Sequence, residues 1–517
     1  MKKILEFIKN KKVTNKIIAV CIFIISFIIY YCNFTLYKNN NSNIDLNIVK
    51  ICYTILALIV FSVIISLLIY YEKKKEKKEI SKIFFITALT IGSVYLFLSP
   101  LLTGSDENIH YFRIYEIANG NLLTPMISEN KMGSEMPISI DKISKEEAKY
   151  IKYNDSLDMM KIPLNKDKTK VYENRYPSAA IYSPIQYLPQ VIGMKIGIIL
   201  NLSPYAIGML GRIFGFIAWL IITSYAIKII PSKKVFVMTI LLLPSSIAFA
   251  TCLSGDVLTN ATIILFIAYI YKIIWNKEKV TKKEFAIMLL LAIIISLCKI
   301  VYAPLILLFL LIPNKSFNSK KEKYIYFILL GIITAFFSIG WLAITKNYFS
   351  VYTKTDLQKA WILSNPIKYI FVILRTYFTE FIRISEDFVG GNMLYQSQFQ
   401  ILPIVSVAFW VLVVAAIKVE ENLYKFNSIQ KTLVALIGLA IIVLISTALY
   451  IQCTANNIGI GVGQIAGIQG RYLIPVAFLS IFLINKKYTI IKQADIISYL
   501  IILQIPIFIT MIYTFII

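Results

Sequence analysis

At 517 residues and 58% hydrophobic, with a mean hydropathy of +0.72, the chain is far too apolar for a soluble domain and reads as an all-α polytopic membrane protein. Its net charge of +25 comes from lysines in short runs between apolar segments, which suits cytoplasmic loops facing anionic membrane lipid and does not resemble a nucleic-acid module. Six scattered cysteines without C-x-x-C spacing, and a single histidine, argue against a disulfide framework or a zinc site.

The chain opens on a basic stretch, Met1-Lys2-Lys3 through Lys16, followed by an apolar run from Ile17 to about Tyr37. That run is too long for a signal-peptide core and no small-residue cleavage site follows, so an uncleaved anchor with its N-terminus inside is expected. Further spans are read at 48–71, 82–102, 204–228, 235–252, 257–275, 284–298, 300–313, 324–346, 400–417, 432–451, 471–485 and 495–516, about thirteen transmembrane helices altogether. The resulting inside loops 72–81, 229–234, 276–283, 314–323, 418–431 and 486–494 all carry lysine, as the positive-inside rule requires. Residues 285–313 are interrupted only by Lys299 and have lysine-rich flanks at both ends, so a hairpin of two short helices turning at Lys299 is expected. Residues 1–80 then form a two-helix anchor, and 81–517 a transmembrane catalytic unit with two long outer loops, 103–203 and 347–399.

The first outer loop begins Ser105-Asp106-Glu107-Asn108-Ile109-His110-Tyr111-Phe112-Arg113. In a helix, Asp106, His110 and Arg113 fall at i, i+4 and i+7 on one face. Gly104 is expected to end the preceding helix and Ser105 to cap this one. A hydrophilic insert, 128–175, is expected to form a small ordered cap. It is followed by the tyrosine- and proline-rich segment 176–189, in which Ser183-Pro184 reads as an N-cap and first helical position. In the second outer loop, the apolar run 367–388 is broken by Arg375, Glu380 and Arg383 and reads as an interfacial helix, not a span.

On this topology the unusual polar residues gather at the outer surface. Asp106, Glu107, His110 and Arg113 follow the third span, Asp256 opens the sixth, and Lys299 sits at the outer turn of the hairpin. Arg471 opens the twelfth, where a cation opposes the helix dipole and so needs an anion. Arg212 is the one charge well inside a span, about 12 Å beyond its outer end. Carboxylates and cations around one outer cavity, beside hydrocarbon, suit attack of a hydroxyl on a lipid-linked phosphate ester. Cations would hold the phosphate, and carboxylates would orient the acceptor or a divalent metal (magnesium or manganese) bound by Asp106, Glu107 and Asp256.

The Asp-Glu-x-x-His motif 106–110, the segment 182–189, Gly211-Arg212, Ser254-Gly255-Asp256-Val257-Leu258-Thr259-Asn260 and Gly467-Ile468-Gln469-Gly470-Arg471-Tyr472 together resemble a bacterial membrane-protein family, domain-of-unknown-function family 2142. That family in turn resembles the GT-C glycosyltransferases, multi-span enzymes that take sugar from a polyprenyl phosphate on the outer face. The likeness covers about residues 80–510. It implies a GT-C-like fold in the bacterial cytoplasmic membrane with the active site outside, and catalytic acids at Asp106 and Glu107. It further implies substrate contacts from His110, Arg113, Tyr182, Arg212, Asp256, Lys299, Gln469, Arg471 and Tyr472. The implied partners are a polyprenyl-phosphate-linked sugar and a glycan or glycolipid acceptor. The chain departs from the family where Ser105 and Asn108 replace prolines around Asp-Glu and where Gly255 replaces an aromatic. A flippase or other transporter of lipid-linked saccharides is the alternative, and so is a polysaccharide polymerase using Arg375 and Arg383. A transporter, though, calls for ionisable residues at mid-membrane, where this sequence has only Arg212.

Overall fold

The computed structural model describes residues 79–143, 158–276, 279–391, 393–394, 401–485, 488 and 491–516; the spans expected at 17–37 and 48–71 lie outside them. Helix α1 (Ile80–Leu98) leads to helix α2 (Glu107–Ala118), and a 3-10 turn, Pro184–Tyr187, leads into α3 (Leu188–Ile199) and α4 (Pro204–Ile229). Helices α5 (Asp256–Asn276), α6 (Lys282–Cys298) and α7 (Lys320–Ile344) follow. Then come the short helices α8 (Pro366–Thr379) and α9 (Phe381–Val389), and later α10 (Ser428–Leu449). Among the described residues six helices are long and apolar enough to cross a membrane: α1, α4, α5, α7, the stretch Ser428–Asn457 that contains α10, and Gln493–Ile512. Ile300–Leu311, Pro403–Val419 and Gly470–Leu483 are apolar but shorter.

Burial ranks these elements. In α5, 83% of the apolar window is enclosed by protein, against 17% in α7, so α5 is the axle of the bundle and α7 lies at its rim. Proline explains why several apolar stretches are broken. The run 235–252 is two helices, Lys234–Leu241 and Pro244–Ala250, because Leu243 is driven to extended backbone ahead of Pro244. Pro304 lies within the 3-10 helix Ile300–Leu311. The chain does turn at Lys299, whose extended backbone separates α6 from that 3-10 helix.

Over α2 sits a small cap of two strand pairs. Met126–Ser128 pairs with Lys131–Met132, and Glu135–Pro137 with Thr169–Val171, all antiparallel. Phe112 of α2 anchors it, stacked on Tyr176 at 6.0 Å and tilted against Tyr172 at 5.0 Å. Helices α8 and α9 are separated at Glu380, and each is too short to cross about 30 Å of hydrocarbon. Their outer faces expose Ile367, Phe371, Leu374, Phe378 and Ile382, while Tyr369, Val372 and Thr376 turn inward.

The start of α2 differs from the sequence expectation. Ser105 does not cap it. Asp106 is the N-cap residue, in left-handed backbone at φ 62° and with no side-chain cap bond, while Glu107 reaches back to the Gly104 N–H at 3.0 Å. The Asp106 carboxylate makes no cap bond and points away from the helix end.

In a cysteine-free background, Leu123→Cys in the cap is expected to react with a membrane-impermeant maleimide on intact cells, and Lys283→Cys only after permeabilisation. The reverse pattern would overturn the outside placement of 103–203.

Candidate active site

Glu107 and Arg212 form a fully buried ion pair that builds the floor of the site. Arg212 Nε donates to one Glu107 oxygen at 2.6 Å and its second terminal nitrogen to the other at 2.5 Å. The remaining guanidinium N–H groups reach the carbonyls of Ser99 (2.7 Å) and Pro100 (2.9 Å). Backbone N–H groups of Leu253 (2.9 Å) and Gly104 (3.0 Å) complete the carboxylate. Every strong partner of this pair is internal, so Glu107 has no capacity left for substrate and Arg212 none for a phosphate.

Above this floor four charged side chains meet. Arg471 donates to Asp106 at 2.8 Å and its Nε lies 3.5 Å from Asp256. Lys299 holds the other Asp256 oxygen at 2.5 Å. Asp256 is the first residue of α5, where Ser254 accepts from its N–H, so it faces the helix dipole as well as two cations. Arg471 lies over the Phe249 ring at 4.3 Å and the Tyr472 ring at 5.2 Å; Lys299 lies 5.2 Å from Tyr472 and 5.8 Å from Tyr182. Of these four, Asp106 is the one open to solvent, with 38% of its side chain exposed against 4% for Arg471 and 7% for Asp256. The Arg471 Nε–H makes no hydrogen bond despite its burial.

A cavity of about 200 Å³ opens beside Lys299. Lys299, Tyr182, Tyr472, Ser178 and Gln452 supply its polar edge. Ser296 and Ser338 also line it, and the rest of the wall is mainly hydrocarbon and aromatic, from Leu297 and Ile300 to Leu342, Ile445 and Leu449. His110 is buried, with Nδ1 2.7 Å from the Tyr187 hydroxyl. Burial lowers its pKa to about 4, against the opposing pull of Asp106 and Asp256, so the ring is neutral at physiological pH.

The expected residues therefore separate. Asp106, Asp256, Lys299, Arg471 and Tyr472 converge, with Tyr182 beside Lys299 and His110 facing the charges. Glu107 and Arg212 are locked together below them. Arg113 turns into the cap, where it pairs with Glu116 at 2.6 Å and donates to the Leu122 carbonyl at 2.7 Å. It does not share the face of Asp106, because Asp106 stands outside the helical phase at φ 62°. Gln469 precedes the Gly470–Leu473 turn, and its carbonyl accepts from Tyr472 N–H. Among the described residues no group of three or more His, Cys, Asp or Glu side chains is placed to hold a metal ion. Glu107 faces Arg212, and Asp106 and Asp256 each already face a cation, so this donor set does not fit a divalent metal. Sequence reasoning missed Tyr187 and Phe249. Tyr187 lies in the segment 182–189, but nothing in its spacing betrays a bond to a residue 77 positions away.

Several long apolar helices around a polar core define a multi-pass membrane protein. The family model for predicted membrane proteins DUF2142 matches residues 89–480, well over half of the chain, and the protein belongs to that family. No curated protein and no solved structure matches it significantly.

Removing one partner of a fully buried ion pair costs about 3–5 kcal/mol. Glu107→Gln is thus expected to lower the thermal unfolding midpoint in detergent sharply, and Glu107→Gln with Arg212→Met to restore part of the loss. A Glu107→Gln protein as stable as the parent would contradict the structural role of this pair.

Proposed function

We propose that this protein is a GT-C-like membrane glycosyltransferase that moves a sugar from a polyprenyl-phosphate donor to a glycan or glycolipid acceptor at the outer face of the bacterial cytoplasmic membrane. The spans read from the sequence, about thirteen, and the two helices α8 and α9, each too short to cross hydrocarbon, are in keeping with that reading. One observation carries it: an apolar cavity ends at a cation, Lys299, which is joined through Asp256 to Arg471 and the exposed Asp106. A lipid-linked phosphate has the same polarity, a long hydrocarbon tail followed by an anion and then a sugar.

In this reading the isoprenoid lies along Ile300, Leu342, Ile445 and Leu449, and the phosphate exchanges onto Lys299 and Arg471. The Arg471 Nε–H, which faces Asp256 at 3.5 Å without a hydrogen bond, is a ready donor for a phosphate oxygen. Asp106, released from Arg471 as the phosphate arrives, orients the acceptor hydroxyl. The departing phosphate leaves as an anion and needs no proton. A transporter is disfavoured because Arg212, the charge that the sequence places well inside a span, is neutralised by Glu107 and engaged on every side.

Reconstitution with a radiolabelled polyprenyl-phosphate sugar tests this. Asp106→Asn is expected to abolish transfer with expression unchanged, and full turnover by that variant would refute the assignment. Lys299→Ala removes charge-assisted bonds worth about 1.5–3 kcal/mol, so the donor KM should rise about 10–100-fold. An unchanged KM would remove Lys299 from the phosphate site.

A further inference from the structure

We propose that Gln452, with Tyr182, forms the subsite for the donor's sugar, and that this sugar is a single uncharged monosaccharide. The inference rests on the transferase reading, which places the lipid phosphate at Lys299, and adds what lies beyond that phosphate.

The cavity beside Lys299 changes character along its length. Ile445, Leu449 and Gln452 line it at i, i+4 and i+7 along α10 and the turn that follows, a rise of about 10 Å. One end of this wall is aliphatic. The other is bounded by Gln452, Tyr182 and the exposed Ser178. Two kinds of polar group line the space. The Ser296 and Ser338 hydroxyls are turned back on carbonyls of their own helices, Ile293 at 3.0 Å and Thr334 at 2.8 Å, so their protons are spent. The Tyr182 hydroxyl and the Gln452 carboxamide are different. Both residues are half-buried, and neither group has a hydrogen-bond partner among the described residues. Partly enclosed polar groups of this kind are costly unless water or a ligand meets them.

Gln452 is held firmly. The backbone from Tyr450 to Thr454 is a π-helical turn, a feature frequent at functional sites. The Tyr450 hydroxyl donates to the Val462 carbonyl at 2.7 Å, and Ala466 N–H donates to the Thr454 hydroxyl at 2.9 Å. The segment that leads to Arg471 therefore also fixes Gln452. Cys453, the next residue, is near enough to Asp106 to feel its charge, which sets this end of the cavity toward the acid that orients the acceptor.

The lining narrows the ligand. A carboxamide and a phenol each offer a donor and an acceptor, as sugar hydroxyls do. Lys299 is the one charged residue among those lining the cavity, and Asp256 already holds it. With the phosphate on Lys299, a uronate would bring a carboxylate with no cation of its own, and an amino sugar a cation where no carboxylate lines the wall. At about 200 Å³ the cavity is smaller than the roughly 300–1,000 Å³ of sites for drug-sized ligands, so it accommodates one sugar ring and not an oligosaccharide.

Equilibrium binding in detergent tests this, with radiolabelled polyprenyl phosphate either bare or carrying glucose, galactose, mannose, N-acetylglucosamine, glucuronate or glucosamine. At least one uncharged form is expected to bind about tenfold tighter than the bare lipid, and the two charged forms no tighter than it. In Gln452→Leu that preference should fall to about twofold or less, with retained binding of the bare lipid showing that the variant is folded. Tyr182→Phe keeps the ring and should reduce the preference about threefold; it decides the matter if Gln452→Leu does not fold. A parent protein that binds no sugar form tighter than the bare lipid, or that prefers a charged form, overturns the proposal. So does a preference unchanged in both variants. Turnover is a separate readout: the expected order of binding without transfer would leave the sugar subsite standing and remove the transferase reading, whereas a protein that binds none of these lipids defeats both.

Discussion

A carboxylate and a guanidinium taken wholly out of water each lose several kcal/mol of solvation, and recover it only if every lone pair and every N–H finds a partner. Glu107 and Arg212 meet that demand with backbone groups from Ser99, Pro100, Gly104 and Leu253. The pair therefore ties the segment after α1, the first turn of α2, the middle of α4 and the turn before α5 into one rigid node. Asp106 is the next residue before Glu107, and Asp256 lies three residues beyond Leu253. Neither acid is free to wander, because the polypeptide on both sides is nailed to the same buried charge.

The opposite wall is held by different means. The segment 459–470 lies along α8 and α9, with Ile465 N–H bonded to Thr376, Gln464 to Glu380, and Arg383 to the Ile468 carbonyl. At its end Gly470 meets the backbone of Ile384 and Phe388 so closely that no Cβ fits. Arg471 is thereby carried to the acids by an element whose outer face is apolar and exposed. The two walls meet in a cluster of two carboxylates and two cations with no net charge. Its most accessible link is Asp106 to Arg471, and this is the link that an incoming anion can exchange most cheaply, since one partner is already hydrated.

Much of this was legible because periodicity, punctuation and charge act locally. The Ser183-Pro184 cap and the turn at Lys299 follow from rules that need only neighbouring residues. Convergence of Asp106, Asp256, Lys299 and Arg471 was legible too, since charges at the outer ends of spans have few places to go. What stayed hidden depends on a single backbone angle. Two adjacent acids look equivalent in sequence, but left-handed backbone at Asp106 sends one carboxylate out to Arg471 and the other down to Arg212. The same angle takes Asp106 out of the helical phase on which an i, i+4, i+7 face depends, and Arg113 closes on Glu116 instead. Tyr187 was illegible for another reason. Nothing in a sequence marks which of 33 tyrosines will meet the one histidine.

The broken helices belong to the same logic. Irregular backbone at membrane depth is tolerable only where protein buries it or where it lines a cavity, because its polar groups have no water to bond. Here the irregular segments are placed around the charged cluster. The 3-10 helix Ile300–Leu311 presents Ile300, Val301 and Tyr302 to the cavity, and Tyr302 donates to the Tyr472 carbonyl. The helix Pro244–Ala250 brings Phe249 under Arg471. The turn Gly470–Leu473 brings Arg471 itself. An unbroken bundle of straight apolar helices would be simpler to fold, but it would present hydrocarbon at every height. Interrupting three of them is what lets backbone and side-chain polarity reach the place where Lys299, Asp256 and Arg471 meet.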